Sequence, residues 1–306
     1  MSRTAAAVVA ELRERGELWE HAPGLTALRG DTLGLYHAMS LELERVARAE
    51  VDEAWQVPPA VSFDTLARAD YFASFPQWLT AAAQLDDDEQ VLAAVAAAAD
   101  PADMAMLALA PTRHALQPAV CYHVYAALAD SVLDSVRAVT VCGTCWRREE
   151  AYAPLERQWA FTMREAVCAG ERAAVDAVRR HGMHDALALA DRLGLKAEVV
   201  TASDPFFAPS TRGRSLLQRL KSLKHELLLP IGDGRATAAA SFNHHEHFFG
   251  DAFNIRLSDG SSAATGCVAF GVERWVLAFL TAHGADAANW PAVSATSSRT
   301  LELSCI

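Results

Sequence analysis

ATGCVAFGVERWVLAFL, residues 264–280, reads as a glycine-flanked strand that turns straight into an apolar helix. It leaves Cys267 near the end of the strand and Arg274 in the first turn of the helix. A cation there opposes the positive end of the helix dipole, so Arg274 calls for an anionic partner, and a ligand phosphate would satisfy it. Working outward, the second half of the chain predicts further strands at 157–168, 196–201, 225–231, 236–242, 253–257 and 263–269, with one more at 135–142. Helices are predicted at 4–18, at 32–54 with Leu35, Met39, Leu43 and Val46 on one face, at 87–99, and at 171–193 before Gly194. Pro58 and Pro59 stop the second of these. Strands in runs, not alternating regularly with helices, predict an α+β fold: an antiparallel sheet flanked by helices.

The bulk properties narrow the function. The chain has 306 residues, 52% hydrophobic and 21% charged, enough to bury a sizeable core and too apolar for a disordered chain. Its 38 acidic and 27 basic side chains leave a formal charge of −11, which repels the phosphates that a nucleic-acid binder must neutralise. No uncharged apolar run reaches the roughly 18–20 residues of a membrane span. Glu11, Arg13 and Glu14 sit where a signal peptide is apolar, so a cytoplasmic protein is expected. With no internal repeat and no long linker, 1–306 reads as a single catalytic domain, with 1–30 as an N-terminal helical extension. The six cysteines, at 121, 142, 145, 168, 267 and 305, lie in apolar surroundings and read as thiols or metal ligands.

Four stretches carry chemistry. In RQWAFTMREAVCAG (157–170), read as a strand, Glu165 shares a face with Trp159, Phe161, Met163 and Val167. A carboxylate in such company needs a cation or an arginine, Arg147 or Arg148 being the candidates. In VCGTCWRREEAY (141–152), an extended chain sets Cys145, Arg147 and Glu149 on one side and Trp146 and Arg148 on the other, an arginine fork beside a carboxylate suited to a phosphate with Mg²⁺ or an adenine amine nearby. Its Cys142 and Cys145 form a C-x-x-C with no second pair to complete a zinc site. In SFNHHEHFFGDAFNIRL (241–257), His244, His245, Glu246 and His247 are adjacent, so at most alternate members converge, and pocket lining is the favoured reading. Finally, PSTRGRSLLQRLKSLKH (209–225) holds Arg212, Arg214, Arg219, Lys221 and Lys224 and no acidic residue. On an acidic protein this is either a solvated helix face or a docking patch for an acidic partner, within a basic helical insertion at 205–224.

Together and in this order, these residues resemble the catalytic core of class II aminoacyl-tRNA synthetases, nearest the atypical seryl-tRNA synthetases. Residues 32–61 look like motif 1, WRRE (146–149) like motif 2 with Trp146 for the usual Phe, and GVERW (271–275) like motif 3. More narrowly, QPAVCYHVY (117–125), FTMREAVCAG (161–170), DPFF (204–207), KHELLLP (224–230), ASFNHHEHFFG (240–250) and TGCVAFGVERW (265–275) resemble the amino acid:[carrier protein] ligases. The resemblance implies a class II synthetase-like domain without the tRNA-binding arm. It implies a Zn²⁺ held by Cys121, Glu165 and Cys267, a cation in place of an arginine partner for Glu165, with a fourth position open to the α-amino group of a small amino acid. ATP would be bound with Mg²⁺, Arg147 on the α-phosphate, Arg274 on the γ-phosphate or pyrophosphate, Glu149 at the adenine or the arginine, and Glu226 and Asn243 near Mg²⁺ and substrate.

The implied reaction forms an aminoacyl-adenylate and passes the amino acid to the phosphopantetheine thiol of a carrier protein, with no tRNA or membrane, in a homodimer. The alternatives are an inactive regulatory paralogue and aminoacyl transfer to a different acceptor. Gln117, where a small hydroxyl residue is expected, and Ala263-Ala264, where a residue before Thr265 is usually His, depart from the pattern and are expected to reshape the amino acid pocket.

Overall fold

The computed structural model describes residues 3–49, 51, 53–207 and 212–293. Cys305 and residues 209–211 of the basic segment lie outside the described residues, as do the side chains of Arg212 and Arg214. The framework is a seven-stranded sheet in the order Glu198–Thr201, Lys224–Gly232, Arg235–His244, Ala264–Gly271, Ala160–Gly170, Arg137–Trp146, Glu53–Gln56. Every neighbouring pair is antiparallel except the last, where 53–56 runs parallel to 137–146. The central strands 137–146 and 160–170 are apolar along most of their length and buried on both faces.

One face is covered by the helices Gly30–Arg48, Arg172–Arg192 and Val272–His283, whose apolar stripes pack on Ala166, Ala240, Phe242, Val268 and Phe270. On the opposite face, Val139, Val141, Cys145, Met163, Val167 and Cys267 meet the helices Cys121–Ala127 and Phe248–Ala252 and a three-stranded sheet of 60–62, 114–116 and 80–82. This second face opens into the cleft described below.

The predicted elements differ from these bounds at informative places. The helix expected to run to 54 ends at Arg48, and Glu53–Gln56 is a strand, because Trp55 and the prolines that follow favour extended chain. The 1–30 segment holds a helix, Ala5–Glu14, and also a hairpin, Leu18–Ala22 with Leu25–Leu28, turned at Pro23-Gly24. Within 253–257 only Arg256–Leu257 is strand.

Gly182 shows how closely the helix Arg172–Arg192 sits on the sheet. A Cβ there would lie 2.8 Å from Cγ2 and 3.0 Å from Cγ1 of Val268. Alanine in a helix interior ordinarily stabilises by about 1 kcal/mol over glycine. Here overpacking against a stiff β-branched side chain, typically about 1–3 kcal/mol, wins. Gly182→Ala is therefore expected to lower the midpoint of chemical denaturation with the slope unchanged; a rise would mean that the helix shifts freely.

Candidate active site

The face of the sheet turned away from the long helices lines an open cleft of about 1110 Å³. Across adjacent strands Asn243 pairs with Cys267, Cys267 with Val167, and Ala269 with Glu165. The two-residue period of a strand therefore puts Asn243, Cys267 and Glu165 on one face, with Glu165 diagonal to Cys267. Cys121, at the start of the helix Cys121–Ala127, reaches the same end of the cleft. Asn243 Nδ2 donates to Cys267 Sγ at 3.4 Å and to Ser241 Oγ at 3.1 Å, which fixes the thiol's position.

Glu165 is 1% exposed. Burial pushes its carboxyl up to about 7, against the opposing pull of the Cys267 thiol, the Arg147 guanidinium, the Cys121 thiol and the Val120 amide. Burial, and then the neighbouring Glu165, drive both thiols well above their usual range. The Oε2 atom of Glu165 is buried without a hydrogen-bond partner. Two sulfurs and a carboxylate with an orphaned oxygen form a donor set whose chemistry suits a zinc ion, and a bound cation would reverse the burial penalty on all three. Among the described residues, however, no group of three His, Cys, Asp or Glu side chains is placed so that it could hold a metal ion, so the zinc expected at Cys121, Glu165 and Cys267 is not seen as a formed site.

Arginines gather at the other part of the cleft. The strand expected to carry Arg147 and Glu149 ends at Trp146, yet both side chains line the cleft. Arg147 Nε donates to the Pro118 carbonyl at 2.9 Å, and its guanidinium lies over the rings of Trp78 and Phe161, 4.9 and 5.4 Å from their centroids. Glu149 pairs with Arg157 at 3.0 Å and not with Arg147. Arg274 is held by two carbonyls, Glu156 O at 2.8 Å from Nε and Ala238 O at 2.7 Å from Nη1. Among the described residues no carboxylate forms an ion pair with it, and burial together with the repulsion of Arg147 and Arg157 lowers its pKa. The anion that the sequence called for at Arg274 is thus not supplied by a protein side chain. A fixed guanidinium fork beside two other arginines suits a polyphosphate. Glu273, next to it, is buried with its carboxyl pushed up to about 7 and accepts from the Thr162 amide at 2.9 Å, which ties the helix start to the strand Ala160–Gly170.

The remaining predicted residues divide. Glu226 lines the cleft. Lys224, expected on a docking surface, is 9% exposed and bonds Asp204 at 2.6 Å and Glu226 at 3.1 Å, because it opens the strand Lys224–Gly232 on its cleft face. Burial alone would raise the Asp204 carboxyl, but Lys224 and Gln218 hold it below its ordinary value. Stability from this pair is therefore present above the ordinary carboxylate pKa and is lost as pH falls toward the folded value. Lys224→Met leaves the part-buried Asp204 without its charge partner, so a loss of about 2 kcal/mol is expected near neutrality, shrinking in acid as the wild type loses the same contribution. Parallel melting curves at pH 7 and pH 3 check it.

Lys221 is half exposed and pairs with Glu246 at 2.9 Å; Arg219 is exposed. The histidine cluster does not converge: His244 is buried and its Nδ1 accepts from the Glu246 amide, His245 is part-buried beside the Tyr125 hydroxyl with its pKa lowered by desolvation to about 4, and His247 contacts the Ser262 carbonyl. Cys142 and Cys145 are both free thiols. Gln117 and Ala263-Ala264 are buried in the core and do not line the cleft; Gln117 Nε2 donates instead to the Thr144 carbonyl at 2.9 Å. They stand behind the pocket wall and not in it, Gln117 directly preceding the lining residue Pro118.

Sequence reasoning missed Arg157 and an aromatic wall. Phe75 stacks on Trp78 at 5.1 Å and on Phe206 at 5.1 Å, and Tyr71 and Tyr122 stand edge-to-face beside them. DPFF (204–207) was the visible signal for part of it.

No protein-family profile matches the chain. It is 37% identical over 243 residues to amino acid–[acyl-carrier-protein] ligase 1 of Bradyrhizobium diazoefficiens, a match covering 78% of this chain and 74% of that protein. The chain belongs to the amino acid–[acyl-carrier-protein] ligase family. Ligase 2 of the same organism is 36% identical over 242 residues, covering 78% of this chain and 72% of that one. Among solved structures, the M. kandleri seryl-tRNA synthetase in complex with A. aeolicus tRNASec superimposes with a TM-score of 0.84 at 25% identity, over 95% of this chain. This ligase-family chain spans 60% of that synthetase chain, and its catalytic fold is that of the class II aminoacyl-tRNA synthetases.

Proposed function

We propose that the chain activates a small amino acid with ATP, as an aminoacyl-adenylate, and passes it to the phosphopantetheine thiol of an acyl or peptidyl carrier protein. The observation that supports this most is the juxtaposition within one cleft of a thiol–carboxylate end, Cys121, Glu165 and Cys267, and an arginine end, Arg147, Arg157 and Arg274. The names of the ligases it resembles agree.

In the first half-reaction a carboxylate oxygen of the amino acid attacks the α-phosphorus of ATP and pyrophosphate leaves; in the second the carrier thiol attacks the acyl carbon, and AMP leaves. No protein nucleophile is needed, so catalysis rests on positioning and charge. Arg147, held over two rings, would orient the α-phosphate, and Arg274 with Arg157 would take the charge of the departing pyrophosphate. Glu149 would fix Arg157, and Glu226 with Mg²⁺ would meet the nucleotide. Cys121, Glu165 and Cys267 would hold a zinc ion, which, when bound, offers a Lewis-acidic site for a neutral amine. Asn243 orients Cys267 for that role. An ATP-consuming ligase of this kind works in the cytoplasm, and motif 1, the helix Gly30–Arg48 with the strand Glu53–Gln56, is the element through which it would form a homodimer.

Exchange of labelled pyrophosphate into ATP, run against a panel of amino acids, tests the first half-reaction. Exchange that depends on one small amino acid is expected; none with any amino acid leaves the inactive-paralogue reading.

The helix Arg212–Leu220 is the proposed docking element for the carrier. Arg219 is exposed, with Leu216 and Leu220 beside it, 58% and 72% exposed. A basic, apolar patch on a chain of net charge −11 would steer an acidic partner. Arg219→Glu is expected to raise the KM for the carrier about tenfold at low salt, less at high salt, with exchange unchanged. If both half-reactions fell together, the docking assignment would be wrong.

A further inference from the structure

One acidic residue outside the proposed chemistry ties the helix Arg212–Leu220 to the cleft. Asp204 Oδ1 accepts from Lys224 Nζ at 2.6 Å, and Oδ2 accepts from Gln218 Nε2 at 2.9 Å. The Asp204 amide donates back to Gln218 Oε1 at 2.9 Å, and its carbonyl accepts from Ser215 Oγ at 3.0 Å. Every polar group of one residue is thus engaged, two of its partners on one helix and the third in the sheet. Lys224 continues the connection to Glu226 at 3.1 Å, within the cleft. Two residues beyond Asp204, Phe206 stacks on Phe75, which stacks on Trp78, the ring beneath Arg147. The helix therefore has a fixed attitude toward the nucleotide end of the cleft, set by a reciprocal Asp–Gln pair and a buried ammonium.

We infer that Asp204 is a positioning residue for the transfer half-reaction: through Gln218 and Ser215 it holds the carrier-docking helix at the distance and angle from which the carrier's thiol reaches the adenylate. This rests on the proposed function and on the docking role of the helix. A helix released from Asp204 still binds a carrier by its exposed side chains, but presents the arm in many orientations, and the second half-reaction loses its near-attack geometry. Adenylate formation uses Arg147, Arg157 and Arg274, which are held by Pro118, Glu149, Glu156 and Ala238 and not by Asp204, Gln218 or Ser215, and is not affected.

The test uses the whole chain with Gln218→Ala, and Gln218→Glu as the stronger variant, since a carboxylate at 218 faces that of Asp204. Three rates are measured: amino-acid-dependent pyrophosphate exchange, transfer to the holo-carrier, and transfer to free pantetheine, a small thiol that needs no docking. Transfer to the holo-carrier is expected to fall about tenfold in kcat for Gln218→Ala and further for Gln218→Glu, with exchange and pantetheine transfer within about twofold of wild type. A rise in carrier KM with kcat unchanged, an equal fall in all three rates, or no change in any would overturn the inference. Loss of fold is recognised by loss of exchange, and wild type without exchange or transfer refutes the functional reading itself, separately from the role of Asp204.

Discussion

Arg274→Ala is expected to lower kcat/KM for amino-acid-dependent pyrophosphate exchange by about 10²–10³, the usual consequence of removing one preorganised group that meets developing charge. Placing a guanidinium there is costly. It is largely buried, it stands at the start of the helix Val272–His283 where the dipole opposes it, and it is repelled by Arg147 and Arg157. Backbone carbonyls of Glu156 and Ala238 fix its fork, but among the described residues no carboxylate forms an ion pair with it. Such a residue contributes little to stability, so the alanine variant should melt within a few degrees of wild type while losing activity. Arg274→Lys should recover little, because an ammonium cannot span both carbonyls and still present two donors to a phosphate. Stopped-flow or exchange kinetics with paired melting curves check both parts. A variant that keeps its exchange rate would remove Arg274 from the chemistry.

Cys267→Ala is the second large effect. The KM for the amino acid is expected to rise about 100-fold, with the Kd for ATP alone nearly unchanged, if Cys267 is one of the three zinc donors proposed above, since losing one weakens such a site by that order or more. Zinc content after gel filtration should fall below that of wild type. Chelation of wild type should reproduce the effect, and added Zn²⁺ should restore wild type but not the variant. The control is Cys168→Ala: that thiol is equally buried, donates to the Gly266 carbonyl at 3.5 Å and does not line the cleft, so neither zinc content nor KM should move. If Cys267→Ala kept stoichiometric zinc and an unchanged KM, the metal assignment would fall, and Asn243 would be left orienting a thiol of purely structural use.

What could be read from the sequence follows from what has periodicity. The strands at 137–146, 160–170, 235–244 and 264–271 announce themselves by alternation, and that alternation already put Glu165 on the face with Phe161 and Met163, where the cleft now lies. Spacing could not reveal that Cys121, Glu165 and Cys267 share one end of it: 44 residues of unrelated pattern separate the first two, and only family resemblance joined them. Lys224 was misplaced because counting charge along a segment ignores where a strand begins; the helix Arg212–Leu220 ends before it, and the chain turns inward. Arg157 escaped notice because it sits on an irregular turn between two strands, where Ala153 and Arg157 bridge and neither helical nor strand period applies. The wall of Phe75 and Trp78 comes from short helical turns at 71–78, again without a period. The hairpin at 18–28 was missed for a different reason: the helical reading of 1–30 passed over Pro23-Gly24, a turn signal, where Gly24 has φ +78° and a Cβ would meet Trp159 N at 2.7 Å.

The central claim is that an amino acid leaves this cleft on a carrier's thiol. Intact-mass spectrometry of a holo-carrier protein, incubated with the chain, ATP, Mg²⁺ and the amino acid that supports exchange, tests it most directly. The predicted result is a mass increase of one aminoacyl group, absent with apo-carrier lacking phosphopantetheine and removed by hydroxylamine as a thioester is. A carrier of unchanged mass, under conditions where exchange runs normally and the adenylate accumulates, would contradict it.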